Sequence, residues 1–371
     1  MIKKTFNILK ALVWPIQSHE NKRLLPLLAI LFLLAFNHCI LWNLKDSLMV
    51  TAAGAEVIPF IKVWGILPGA ILLTCIYAKL SNHFSQHKVF HLMVSCFLLF
   101  FGLFAFVIYP LRDQLHPFES AAYLETILLP GFKGIIAMYR YWTYSVFYVI
   151  CELWNTIVIT VLFWGLANAI TQLTEARRFY GVLSMGYNIA VVAAGGASLY
   201  VARSQFINNI LPTHMIEWEK TMTVLVCVVM LSGILAMVLF HRFSLAISVE
   251  PKIPSEVTNE KSDKPKLTFL ESLWHVCRSH YLISIAVIVI SYGVAINMVE
   301  VVWKDQLRNI YPTPSEYNSY INTLQMIQGA IAIVVSLCMS ELINRFGWLS
   351  RSFCCSWESS SELSCWPYFF H

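Results

Sequence analysis

Glu152 is the one formal charge in an apolar run from Tyr144 to Ala167, with Cys151, Leu153 and Trp154 beside it and Asn155 one turn on. An ionisable side chain at the centre of a membrane helix costs roughly 2.5–3.5 kcal/mol on insertion scales, so it is usually kept where it faces a pathway or a partner. The same reasoning selects Lys62, set between Phe60 and Trp64, and Glu300, followed by Lys304 and Asp305. Lys45 and Asp46 close another apolar run, at a place where a cation can snorkel to the interface. Each has a plainer reading as well: Glu152 as a protonated acid bonded to a neighbouring helix, the others as interfacial residues. Lys45, Lys62, Glu152 and Glu300 fall at similar depth on four different apolar runs. Two cations and two carboxylates so placed suit an anionic substrate with a coupled counter-ion or proton. Asp46, Asn155 and Lys304 are secondary candidates.

The elements that must carry these residues follow from composition. Of 371 residues 58% are hydrophobic and 13% charged, where soluble domains average about 45–50% and 25%. The apolar residues come in blocks of about 20, the length that crosses the hydrocarbon core as a helix. The expected fold class is therefore an all-α polytopic membrane protein. Eight spans are expected: Leu24–Leu44, Ile58–Ala78, Val89–Tyr109, Tyr144–Ala167, Tyr180–Ala202, Met222–Phe240, Tyr281–Val302 and Leu324–Leu342. This composition excludes a soluble enzyme, a disordered chain and a disulfide scaffold. Ten cysteines include no C-x-x-C pair, and a net charge of +5 gives no reason to expect nucleic acid as a partner.

Orientation comes from the basic residues. With the N-terminus in the cytoplasm and the spans alternating, most of the 26 Lys and Arg residues fall on cytoplasmic segments, as the positive-inside rule requires. The largest group lies in the segment 242–280, whose polar stretch Pro251–Lys266 reads as the joint between two helical bundles. Residues 1–23 read as a cytoplasmic tail, with no cleavable signal or transit peptide pattern, 24–241 as a six-helix bundle and 281–348 as the first two helices of a second. The expected location is a bacterial inner membrane. Ala121–Tyr141 is moderately apolar but carries Glu125, Lys133 and Pro130. Counting it as a span would turn the basic central loop outward, so it is expected to form part of a long external loop.

Other features carry less. Gly186, Ala190, Ala194 and Ser198 make a small-residue stripe for close helix packing. His83, His87 and His91 recur every four residues, but nothing nearby supplies a carboxylate, so solvated histidines are expected and no metal. No phosphate-cradling P-loop, dinucleotide fingerprint, zinc-protease motif or nucleophile elbow is present. Neither an enzyme nor a cofactor is expected, and a solute would be moved by an existing gradient. Residues 349–371, with Cys354, Cys355 and Cys365 and no helix signal, are expected to be a tail not native to the fold.

Three segments in order resemble one family. Asn43–Ala70, NLKDSLMVTAAGAEVIPFIKVWGILPGA, joined by Cys151-Glu152-Leu153-Trp154 and by Asn297–Lys304, is similar to the nucleotide transporters of plastids and obligate intracellular bacteria, the ADP/ATP carrier family unrelated to the mitochondrial carrier. Trp14-Pro15-Ile16 fits too, and the resemblance covers residues 10–348. It implies twelve helices of the major-facilitator type in two bundles, a complete first one and here an incomplete second. It implies exchange of ADP for ATP, or nucleoside triphosphate uptake with protons, with ATP, ADP and other nucleoside triphosphates as partners besides the lipid bilayer. Family substrate contacts carry over to Lys45, Glu152 and Glu300. A further family lysine, late in the second bundle, has no counterpart, which leaves a non-transporting remnant as the third reading.

Overall fold

The computed structural model describes residues 16–17, 19–204, 216–249 and 280–346. Among these, every regular element is a helix, as a bilayer demands of a chain that must satisfy each backbone group within its own segment. Eight helices are long: α1 (Asn21–Ala53), α2 (Ala55–His83), α3 (Gln86–Ile108), α4 (Trp142–Ile170), α5 (Leu173–Arg203), α6 (Glu217–Val249), α7 (His280–Ile310) and α8 (Pro314–Phe346). Among the described residues, α1 to α7 contain stretches long and apolar enough to cross a membrane. The eighth expected span, Leu324–Leu342, lies in a helix of 33 residues that turns Asn318, Asn322 and Gln325 to α1. Residues 1–15 of the expected tail, 250–279 of the central segment and 349–371 lie outside the described residues.

α1 is the hub, with α4, α5, α6 and α8 packed along it. From Asn37 to Val50 every residue but Trp42 is buried, while Leu25 and Ala29 near its start are exposed, the pattern of a helix enclosed by others along its second half. The helix runs nine residues past Leu44, where the apolar run ends. Ser47 and Thr51 turn their hydroxyls back onto the carbonyls of Asn43 and Ser47, at 2.7 and 2.6 Å. Lys45 and Asp46 are therefore interior residues, each 1% exposed. The snorkelling position expected for them is corrected: their charges are compensated inside the bundle, so nothing draws them to the interface. α1 stops at Gly54, whose φ of 92° and ψ of 162° belong to a region open essentially only to glycine.

Among the described residues, three helices contain wide π turns: Lys62–Ile66 in α2, Phe104–Ile108 in α3 and Trp154–Phe163 in α4. In α2 the cause is legible, because Pro68 has no N–H to give the Trp64 carbonyl. Two of these stretches adjoin charged residues, since Lys62 opens one and Glu152 lies two residues before another. Such turns are frequent at functional sites.

The segment between α3 and α4 folds into the short helices Phe118–Ile127 and Lys133–Arg140, too short to cross a bilayer. Arg140 Nη2 holds them together through Glu125 Oε2 at 2.7 Å. α5 and α8 lie so close that a Cβ on Gly195 would stand 2.8 Å from the Asn322 carbonyl oxygen. The stripe of Gly186, Ala190, Ala194 and Ser198 is buried on α5, with Gly186 against Leu28 of α1. α7 meets mainly α1 and the first turn of α2, and its apolar side chains from Tyr281 to Val302 are largely exposed.

Candidate functional site

Four helices bring charges to one place. α1 supplies Lys45 and Asp46 on consecutive residues, α4 supplies Glu152, α2 supplies Lys62 at its wide turn, and α7 supplies Glu300 and Lys304 one turn apart. They form a single alternating chain of ion pairs. Glu152 Oε1 lies 3.0 Å from Lys45 Nζ, which lies 3.1 Å from Asp46 Oδ1. Asp46 Oδ2 takes Lys304 Nζ at 2.8 Å, and Lys304 reaches Glu300 Oε1 at 2.7 Å. Glu300 Oε2 then accepts from Lys62 Nζ at 2.9 Å, and Lys62 also donates to Asn297 Oδ1 at 2.6 Å. Three cations and three carboxylates thus neutralise one another.

Burial is greatest in the middle. The side chains of Lys45, Asp46 and Lys304 are sealed, whereas Glu152 at one end and Lys62 at the other are 15% and 32% exposed. Lys45 is additionally held between the rings of Trp42 and Tyr148, its Nζ 3.9 Å from each centroid, a contact worth up to about 2 kcal/mol when desolvated. A charge buried this deeply is tolerated because its partners are present, and its lone removal would strand the others.

Beyond Lys304, one further turn along α7, Arg308 lines a cavity of about 460 Å³ together with Glu56, Lys133 and Arg140. It lies against Ala52 and Ala53 at the end of α1 and under the short helices. On the α8 side, Asn43 Nδ2 donates to Asn322 Oδ1 and to Gln325 Oε1, both at 2.7 Å, and Ser47 Oγ to Asn318 Oδ1 at 3.3 Å. The hydroxyls of Tyr148 and Tyr317 and Oδ1 of Asn43 are buried without a hydrogen-bond partner, which leaves unused polar capacity around the chain.

All four residues singled out by sequence, Lys45, Lys62, Glu152 and Glu300, stand in this chain. Asn155 does not: it is buried within the wide turn that follows Glu152. Asp46 and Lys304, ranked lower, are its centre. The spacing of Glu300 and Lys304, i and i+4 on one helix, was the available signal for Lys304. Asn297 and the α1–α8 amide ladder were missed, since uncharged amides leave little trace in an apolar run.

A bundle of apolar helices with its charges gathered in the interior has the plan of a polytopic membrane transporter. The chain belongs to the TLC ATP/ADP transporter family, whose sequence profile matches residues 1–355, somewhat more than the 10–348 expected. It is 39% identical over 353 residues to ADP,ATP carrier protein 1 of Chlamydia muridarum, which covers 94% of this chain and 66% of that one. It is 34% identical to ADP,ATP carrier protein 1 of Rickettsia typhi, over 93% of this chain and 68% of the relative. To the chloroplastic ADP,ATP carrier protein 1 of Arabidopsis thaliana it is 36% identical, over 91% and 53%. The chain spans about two thirds of the length of the bacterial relatives it matches. No solved structure matches it.

Proposed function

We propose that this chain carries out adenine nucleotide exchange, ADP against ATP, across a bacterial inner membrane, with its N-terminus in the cytoplasm. In this reading residues 24–241 form the first bundle and 281–348 belong to a second, joined by 242–280. The observation that carries the proposal is the alternating ion chain linking α1, α2 and α4 to α7.

The physical logic is partner exchange. A nucleotide's phosphates carry several negative charges, and Lys45, Lys62 and Lys304 are already neutralised by carboxylates. Phosphate oxygens would displace Glu300 from Lys62 first, since that pair is the most open of the chain. Displacing Glu300 from Lys62, or Asp46 from Lys304, loosens a tie between α7 and the helices facing it. Without nucleotide the ties stay closed, and an empty carrier that cannot reorient is what obligate exchange requires. Tyr148, Tyr317 and Asn43 offer the polar atoms for the rest of the substrate.

Uptake of labelled ATP by cells expressing the chain tests this. Uptake should rise when the cells are preloaded with ADP, and should fall to background in Lys62→Ala and Glu152→Ala. Uptake indifferent to ADP but lost on collapsing the proton gradient would replace exchange with proton-driven import of nucleoside triphosphates. No uptake by the chain would sink both.

A further inference from the structure

We propose that His87, His91 and His241 form a binding site for a divalent transition-metal ion of the zinc type, joining the end of α6 to the start of α3. One nitrogen from each of the three histidines lies within 4.8 Å of the other two. His87 and His91 are i and i+4 on α3, so both project from one face of the helix. His241 arrives from α6, directly after Phe240, whose ring stacks on Phe90 at 3.9 Å between centroids and fixes the register of the two helices. The series of three seen in the sequence is thereby altered. α2 ends at His83 and the chain breaks at Phe84 and Ser85, so His83 belongs to another helix and the third histidine comes from across the bundle.

The hydrogen bonding around His91 points to a cation. Its Nδ1 stands 2.9 Å from the His87 carbonyl oxygen and its Nε2 stands 3.1 Å from the Met237 carbonyl oxygen. A neutral imidazole has one N–H, so one of these contacts sets a lone pair against a lone pair. An Nδ1–H donated to the His87 carbonyl is the usual outer contact of a metal-bound histidine, and Nε2 then ligates once the ring turns off the Met237 carbonyl oxygen that now faces it. His87 Nε2 and His241 Nδ1 are 2.8 Å apart. Zinc–nitrogen bonds of about 2.0–2.1 Å in a tetrahedral site set ligand nitrogens about 3.3 Å apart, so the pair need open by only about half an ångström.

Three imidazoles without a carboxylate or thiolate suit zinc, nickel or copper, and are a poor set for calcium or magnesium. His241 is exposed and the other two are half-buried, so an ion enters from solvent and water fills the fourth position. The neighbouring Lys88 and Arg242 are exposed, which leaves their charges largely to solvent screening.

The test is cobalt titration of the purified full-length chain, captured without a histidine tag, with cobalt standing in spectroscopically for zinc. One equivalent should give the visible absorption of four-coordinate cobalt, and one equivalent of zinc should bleach it. His241→Ala and His241→Gln should weaken binding by more than about tenfold, since even outer contacts to metal ligands cost 10–100-fold, while His83→Ala leaves it unchanged. Zinc should raise the melting temperature of the parent and not of the His241 variants. Absence of the cobalt band, or affinity equal in parent and His241 variants, overturns the site.

Discussion

Asp46 is bonded to two lysines at once, Lys45 through one oxygen and Lys304 through the other. Losing its charge would leave two buried ammonium groups short of a partner, and breaking a buried pair from one side costs about 3–5 kcal/mol. Asp46→Asn should accordingly lower the stability of the chain in mixed micelles by that order, read from the midpoint of SDS-driven unfolding. Lys62 sits at the open end of the same ion chain, where a pair contributes no more than about 1 kcal/mol. Lys62→Ala should therefore fold nearly as well as the parent. Lys62→Gln can still bond Glu300 and Asn297 but offers no charge to incoming phosphates, so stability should be kept while uptake is lost. Uptake retained in Lys62→Gln would show that Lys62 only braces α7. The charges themselves were readable in the sequence, because an ion in an apolar run is expensive enough to need a reason. Their pairing was not, since Asp46 and Lys304 are 258 residues apart and each stood at the edge of an apolar run rather than inside it.

Helices were readable where composition alone decides them and not where tertiary partners do. α1 outruns its apolar stretch because Lys45, Asp46 and Ser47 find partners inside the bundle, so a rule that ends a span at the first charge stops it nine residues short. The wide turns left only Pro68 as a hint. The elbow from α1 to α2 rests on Gly54, with Arg308 Nη1 2.9 Å from where a Cβ would stand. Gly54→Ala should cost about 1–3 kcal/mol in backbone strain, seen as a lower melting temperature, with Lys62 displaced from Glu300 because the elbow aims α2. The connection between α3 and α4 has its own dependence on pH. His116 is buried with Nε2 2.6 Å from Thr143 Oγ1. Burial, reinforced by Arg112 and opposed by Asp113, pulls its pKa below the ordinary 6.5. The unfolded connection then binds the extra proton more readily, so stability is fully present above about pH 6.5 and is lost as pH falls below it. Hydrogen exchange in Phe118–Arg140 should quicken under acid conditions beyond its intrinsic change, and His116→Asn should remove that excess. An excess that persists in the variant would assign it to another group.

At the scale of the molecule, an all-helical membrane fold was settled by the density and length of the apolar blocks. The arrangement of the helices was not, because periodicity does not say which helix neighbours which. The placement of α1 at the centre and the close pairing of α5 with α8 depend on small residues and amides whose partners lie far along the chain. The six ionised groups of the site sum to zero, and this bears on energetics that contacts alone do not describe. A neutral site lends no counter-charge to its cargo, so in the proposed exchange the electrical work is set by the nucleotides. ATP and ADP differ by one elementary charge, worth about 2.3 kcal/mol for each 100 mV across the membrane. Either the cycle drives a current that the membrane potential can speed or stall, or a third ion crosses with the nucleotides to cancel it. Voltage imposed on proteoliposomes, with and without added permeant anions, distinguishes the two.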